Sequence, residues 1–300
     1  MNHPSTKKSH AAQAAAVAFA LLLASVFSSS ALAQSLNWEG QTGVFITPLA
    51  YTAASPKKGV GRPVVAYHYM KAGEVIGHFH TMSATIGMLE RVEVGFTRVE
   101  HQQGSSPTLS PLWEGGFNVI HGKAIAIPEN AGGHKAVPAI AAGFVMRNYV
   151  NHVTGVLSAK GDEFNANDFY VVASKTVTQT KKIPLVLNLG IKASNASNHA
   201  LTGAGTAYRG RVFGAAGFVL TGPAKSTIIL AAEAHEQESA VKNLPGVSLP
   251  NTLVYAVRIV PTSKAKLNFD FGIGQVAGQI APGVNVTARH QFAFGVSYGL

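Results

Sequence analysis

His290-Gln-Phe-Ala-Phe-Gly-Val-Ser-Tyr-Gly-Leu300 closes the chain as an alternating strand. Phe292, Phe294, Val296, Tyr298 and Leu300 fall on one face; Ala293, Gly295, Ser297 and Gly299 fall on the other. Because side chains along a strand alternate between faces, the segment predicts one apolar face and one small, polar face. The pattern recurs upstream. Leu185, Leu187, Leu189 and Ile191 oppose Asn188, Gly190 and Lys192. Leu267, Phe269, Phe271 and Ile273 oppose Asn268, Asp270, Gly272 and Gly274. Leu253, Tyr255, Val257 and Ile259 oppose Thr252, Ala256 and Arg258, while Ile228, Leu230, Ala232 and Ala234 oppose a face ending in Glu233 and His235. Alternation of this length suits tilted strands crossing a bilayer, and an aromatic-rich closing strand is a mark of outer-membrane barrels. A soluble sandwich also alternates, but its outward face is rich in charge. Here the non-apolar face is mostly Gly, Ser, Asn and Thr, which suits a lumen.

The N-terminus predicts export. Lys7 and Lys8 form a basic start, Ala14 to Phe27 an apolar stretch, and Ser28-Ser-Ser-Ala-Leu-Ala33 an A-x-A cleavage site before Gln34. The apolar stretch is short for a membrane span, so residues 1–33 read as a cleaved signal peptide rather than an anchor. Cysteine is absent, so the exported chain must be stable without disulfides. A closed sheet can manage this, since it leaves no free edge.

Strands are expected near 63–70, 78–88, 91–100, 116–127, 137–149, 168–177, 183–194, 209–220, 226–235, 251–260, 265–274 and 290–299. The intervening segments alternate between long and short, the asymmetry of bacterial outer-membrane barrels. The expected fold is therefore all-β: a closed antiparallel transmembrane β-barrel of about twelve strands over residues 62–300. An even count returns both barrel ends to one side. Gly40-Gln-Thr-Gly-Val-Phe-Ile-Thr-Pro48 also looks strand-like, and a thirteenth spanning strand would break that parity. Residues 34–61 are therefore expected not to span but to plug the lumen or lie at the periplasmic rim; Pro48, Pro56, Lys57, Lys58 and Gly59 make a poor membrane strand.

The middle of the chain resembles a Gram-negative family known as domain of unknown function 3034. The resemblance rests on Ile86-Gly-Met-Leu-Glu-Arg-Val-Glu-Val-Gly-Phe96, Asn167-Asp-Phe-Tyr-Val-Val-Ala-Ser-Lys175 and Leu187-Asn-Leu-Gly-Ile-Lys-Ala-Ser-Asn-Ala-Ser-Asn198, in the same order over roughly residues 40 to 300. Thr42-Gly-Val-Phe-Ile-Thr-Pro48 also resembles the start of barrels linked to exopolysaccharide export. The resemblance implies an outer-membrane barrel and transfers no catalytic residue. One departure is the final Leu300, where such barrels usually end in Phe.

No residue is assigned a catalytic role, and no cofactor is expected. Asn188, Lys192, Glu233, His235, Arg258 and Asp270 are the lumen-lining candidates. They would set solute selectivity if water passes, or close the lumen if Lys192 and Arg258 pair with Glu233 and Asp270. His78 and His80 share a strand face, and His68 on a neighbouring stave would complete a weak metal set, although no nearby carboxylate or thiolate joins them. Asn195-Ala-Ser-Asn-His199 has residue types used by lipid-modifying barrels, but no nucleophile motif accompanies Glu233 and His235. Phe292, Phe294, Tyr298 and Leu300 form the expected insertion signal.

The formal charge of +10 falls to +8 without Lys7 and Lys8, an excess compatible with anionic solutes, an anionic lipid surface or scattered lysines. No basic run is interleaved with aromatics, so nucleic acid is not an expected partner. The expected partners are outer-membrane lipid, the barrel-assembly machinery during insertion, and small solutes. The leading expectation is an outer-membrane passive channel or structural barrel of a Gram-negative bacterium. The alternatives are a lipid- or polysaccharide-processing barrel and a soluble periplasmic β-protein.

Overall fold

A computed structural model describes residues 35–300 apart from 108–109, 150–164, 179–182, 197–198, 200, 202–203, 238–248, 263–265, 276–278 and 286–287. The signal-peptide reading of residues 1–33 lies outside the described residues. Twelve strands close into one barrel in which every neighbouring pair is antiparallel. They are β1 (Val64–Lys71), β2 (Gly77–Met88), β3 (Val92–Gln103), β4 (Phe117–Ile127), β5 (Ala139–Tyr149), β6 (Asn165–Val177), β7 (Leu185–Ala196), β8 (Ala204–Thr221), β9 (Thr227–His235), β10 (Thr252–Val260), β11 (Leu267–Gln275) and β14 (Gln291–Gly299). Between the last two, β12 (Gln279–Ala281) and β13 (Val284–Asn285) form a separate hairpin. The alternation reading treats that connection as plain loop, because two such short strands carry too few residues to show a period. β8 also begins earlier than expected, pairing Ala204 with Ala196 across an irregularity in β7.

Closure joins the first stave to the last, from Val64 opposite Gly299 to Met70 opposite Ala293. The alternation in β14 is realised in full. Ala293, Gly295, Ser297 and Gly299 are buried, whereas Phe292, Tyr298 and Leu300 are exposed on the outer wall. Leu189 and Tyr255 are 64% and 67% exposed, and neighbouring staves present Phe96, Ile120, Phe169 and Ile273 outward. An outer surface this apolar fits hydrocarbon rather than water. Against it, the soluble alternative loses its basis.

The two rims differ. One carries tight turns, including Met88–Arg91, where Leu89 and Glu90 take φ values of 56° and 57°. Three residues, Leu89 to Arg91, separate the paired Met88 and Val92, and two successive left-handed residues match the twist of the flanking strands. The other rim carries the long connections, and the chain enters β1 and leaves β14 on the short-turn side. There the Leu300 N–H donates to Pro63 O at 2.9 Å.

Gly295 lets the seam close around a buried ring: a Cβ on it would overlap His68, which is wholly buried and packs edge-on against Phe45. Gly295→Val should therefore destabilise the folded barrel by about 1–3 kcal/mol. It should lower the temperature at which the folded band converts in a heat-modifiable gel shift. The penalty should shrink in a His68→Ala background, since the clash partner is gone.

Candidate functional site

Residues 35–53 occupy the inside of the barrel. Ser35, Leu36, Asn37, Thr42, Thr47, Leu49 and Ala50 are fully buried. Only isolated bridges, Leu36 with Thr42 and Gly43 with Pro48, occur here, and neither makes a stave. Two tight turns shape the segment. Asn37 Oδ1 accepts the N–H groups of Glu39 and Gln41 at 3.0 and 2.9 Å, a local side-chain turn typical of Asn. Gly40 follows with φ 87°, packed so close to Thr97 that a Cβ would overlap its hydroxyl. Next, Val44 N–H donates to Thr47 O and Leu49 N–H to Thr42 O, folding the chain back on itself.

Neither turn satisfies all of its own backbone, and charged side chains from the wall take up the remainder. Glu93 on β3 accepts from Thr42 N (3.1 Å), Thr42 Oγ1 (2.6 Å) and Ala53 N (2.8 Å), and pairs with Lys123 Nζ at 2.9 Å. It thereby ties together the two limbs of the segment. Lys123 on β4 also donates to Thr42 O and Leu49 O. Opposite, Glu233 on β9 accepts the backbone N–H groups of Phe45, Ile46 and Thr47 at 2.9, 3.0 and 2.7 Å. Arg258 on β10 donates to Gly43 O and Val44 O while holding Asp270 of β11.

A third cluster is fully ionic. Arg147 Nη2 donates to Glu39 Oε2 at 2.8 Å and to Asp168 Oδ2 at 3.0 Å, and Lys192 Nζ reaches the same Asp168 oxygen at 3.0 Å. Near the short-turn rim, burial pushes the Tyr51 phenol above its ordinary range, so it remains protonated and donates to Glu129 Oε2 at 2.9 Å.

All six lumen-lining candidates are buried and project inward, but their partners differ from the expected ones. Arg258 does meet Asp270. Lys192 instead meets Asp168, and Glu233 meets the backbone of the internal segment. Asn188 donates to Pro48 O at 3.2 Å, and His235 Nε2 lies 2.8 Å from Thr47 Oγ1. The strand register explains the change: β9 lies between β8 and β10, so Glu233 stands opposite Ala215 and Val254 rather than a cation.

The weak metal set does not assemble. His68 points inward, whereas His78 and His80 point outward, where their Nδ1 atoms lie 2.8 and 2.7 Å from the hydroxyls of Tyr69 and Tyr67. Residues 68, 78 and 80 all have even numbers, but the register places His68 opposite Thr81, an inward residue. Among the described residues no group of three His, Cys, Asp or Glu side chains could hold a metal ion. Of Asn195-Ala-Ser-Asn-His199, expected in a loop, Asn195 and Ala196 end β7, and Ser197 and Asn198 lie outside the described residues.

Sequence reasoning missed Glu39, Glu93, Lys123, Arg147 and Asp168. Glu93 was accessible, since Val92, Val94 and Phe96 alternate against Glu93, Gly95 and Thr97. Arg147 and Asp168 were harder to see, because inward Val145, Tyr170 and Val172 blur the contrast between faces.

No family model matches the chain, and no curated protein matches it. Among solved structures it is similar to the KdgM porin, at 13% identity and a TM-score of 0.45, covering 79% of this chain and 99% of that one. It is also similar to the NanC porin, at 8% identity and a TM-score of 0.48, covering 79% and 100%. A third is an outer-membrane channel from Pseudomonas putida F1, at 13% identity and a TM-score of 0.40, covering 82% and 96%. None of them supplies a solute or a functional residue for this chain.

Arg147→Met should cost about 3–5 kcal/mol, because it strands the buried Glu39 carboxylate. Adding Glu39→Gln should recover part of that loss, since the remaining Asp168–Lys192 pair is intact. Denaturant unfolding of the detergent-solubilised barrel measures both steps.

Proposed function

We propose that the protein is a passive outer-membrane barrel, a narrow channel held shut by residues 35–53 of its own N-terminal segment. The apolar outer wall supports the membrane setting, and the short-turn rim is read as the periplasmic side because bacterial barrels turn tightly there. The same proposal places the chain with the domain-of-unknown-function-3034 family, on the sequence blocks quoted above.

The observation that carries the channel reading is the nature of the lumen contacts. Glu93, Lys123, Glu233 and Arg258 hold the segment through hydrogen bonds to its backbone. Such contacts can exchange with water when the segment shifts, and the wall left behind is charged and hydratable. A barrel built only for rigidity could fill its interior with apolar side chains instead. The internal segment also bears on the processing alternative. Glu233 is taken up by three backbone N–H groups and His235 faces Thr47, so neither is presented to a solute.

Planar-bilayer recording tests the reading. Wild-type protein should show a closed baseline with brief openings, and deletion of residues 35–53 should give steady current. Glu233→Gln, which removes an acceptor oxygen from the cradle, should raise the opening frequency in protein that still shows the folded gel shift. Steady wild-type current equal to that of the deletion variant would overturn the plug. Silence from a correctly folded deletion variant would overturn the channel.

A further inference from the structure

The excess positive charge is not scattered. Among the described residues the lumen holds five buried cations, Lys123, Arg147, Lys192, Arg211 and Arg258, and five buried carboxylates, Glu39, Glu93, Asp168, Glu233 and Asp270. At the long-loop rim the described residues also balance, with Lys71, Arg98, Arg209 and Arg289 set against Glu74, Glu100, Glu114 and Glu236. The excess carried by the described residues therefore sits at the short-turn rim.

There it is spread around the circumference. Exposed Arg91 follows the β2–β3 turn, Lys135 lies between β4 and β5, and Lys225 lies between β8 and β9. Lys266 precedes β11 and reaches Leu300 O at 3.2 Å, so it stands by the barrel seam. Lys57, Lys58 and Arg62, all exposed, flank the chain as it leaves the lumen for β1. The described carboxylates of this rim are few: Glu90 in the β2–β3 turn, and Glu129, already held by Lys175 and Tyr51.

We propose that this basic ring binds the anionic phospholipid headgroups of the leaflet around the short-turn rim. The inference rests on the membrane-barrel reading above. Basic residues on four short turns and at the seam, each next to an outward-facing apolar stave, match an annulus of headgroups. A discrete acidic protein would be met by a patch on one side. Basic residues beside an anionic leaflet are attracted within about a Debye length, roughly 10 Å at 0.1 M salt.

Spin-labelled lipids provide the test, using the whole mature chain reconstituted in phosphatidylcholine vesicles. A motionally restricted fraction reports lipid held against the barrel. Labelled phosphatidylglycerol should be restricted about twofold more than labelled phosphatidylcholine at low salt. The preference should vanish near 1 M salt, where the Debye length is about 3 Å. K57Q/K58Q/R62Q and R91Q/K225Q/K266Q should each reduce it; all six positions are exposed or half-exposed, so the fold is retained. Equal restriction of the two lipids overturns the proposal. Equal restriction together with binding of dextran sulfate to the solubilised protein also overturns it, and assigns the ring to a soluble polyanion. No restricted lipid of either kind would instead sink the membrane-barrel reading itself.

Discussion

Glu93 holds residues 42 and 53, the two limbs of the internal segment, with one carboxylate, and the rest of the interior is arranged around that clamp. Twelve strands enclose more space than small inward side chains fill, which is why barrels of this size need either water or a plug. The gap is met by backbone, and buried backbone brings unpaired N–H and C=O groups that must find partners. Carboxylates on the wall supply acceptors to Thr42, Phe45, Ile46, Thr47 and Ala53, and cations supply donors to Thr42, Gly43, Val44 and Leu49. The charged lumen and the internal segment thus satisfy each other's polar groups.

Electrostatics limits how this can be built. A buried ion is stable only with close counter-charge and further hydrogen bonds. The wall obeys that limit by cross-strand pairing: Glu93 lies opposite Lys123, and Arg258 opposite Asp270. Opposite charges facing each other across antiparallel strands are held by the ladder itself, so the pairing needs little side-chain ordering beyond what the sheet already imposes. Asp168 stands opposite Val145 and Ser194 and takes its cations, Arg147 and Lys192, diagonally, whereas Glu233 stands opposite Ala215 and Val254 and is held by the segment. Three backbone N–H groups take the place of a counter-ion, which makes this carboxylate the one most dependent on the segment staying in place.

The fold was largely legible in the sequence because the outer wall obeys one rule. Every stave must show hydrocarbon an apolar face, and Leu187, Leu189 and Ile191 or Phe292 and Tyr298 do so without interruption. The lumen obeys two rules at once, since its surface meets polar backbone in some places and apolar segment residues such as Trp38 and Phe45 in others. Inward Val145 and Tyr170 therefore look like lipid-facing residues in a one-dimensional pattern, and Arg147 and Asp168 beside them were overlooked. Partner choice was illegible for a related reason. Lys192 lies two strands from Glu233 and one from Asp168, and only the register of β6 against β7 says which it can reach.

The closing strand shows how these constraints combine. Its outer face carries Phe292 and Tyr298 to lipid, while its inner face must be small because β14 passes close to His68 and the start of the internal segment. Ser297 Oγ accepts the Leu36 N–H at 3.3 Å, so the last stave helps to seat the internal segment. The seam between β14 and β1 thus meets the internal segment from both staves, Ser297 through the Leu36 N–H and His68 through the ring of Phe45.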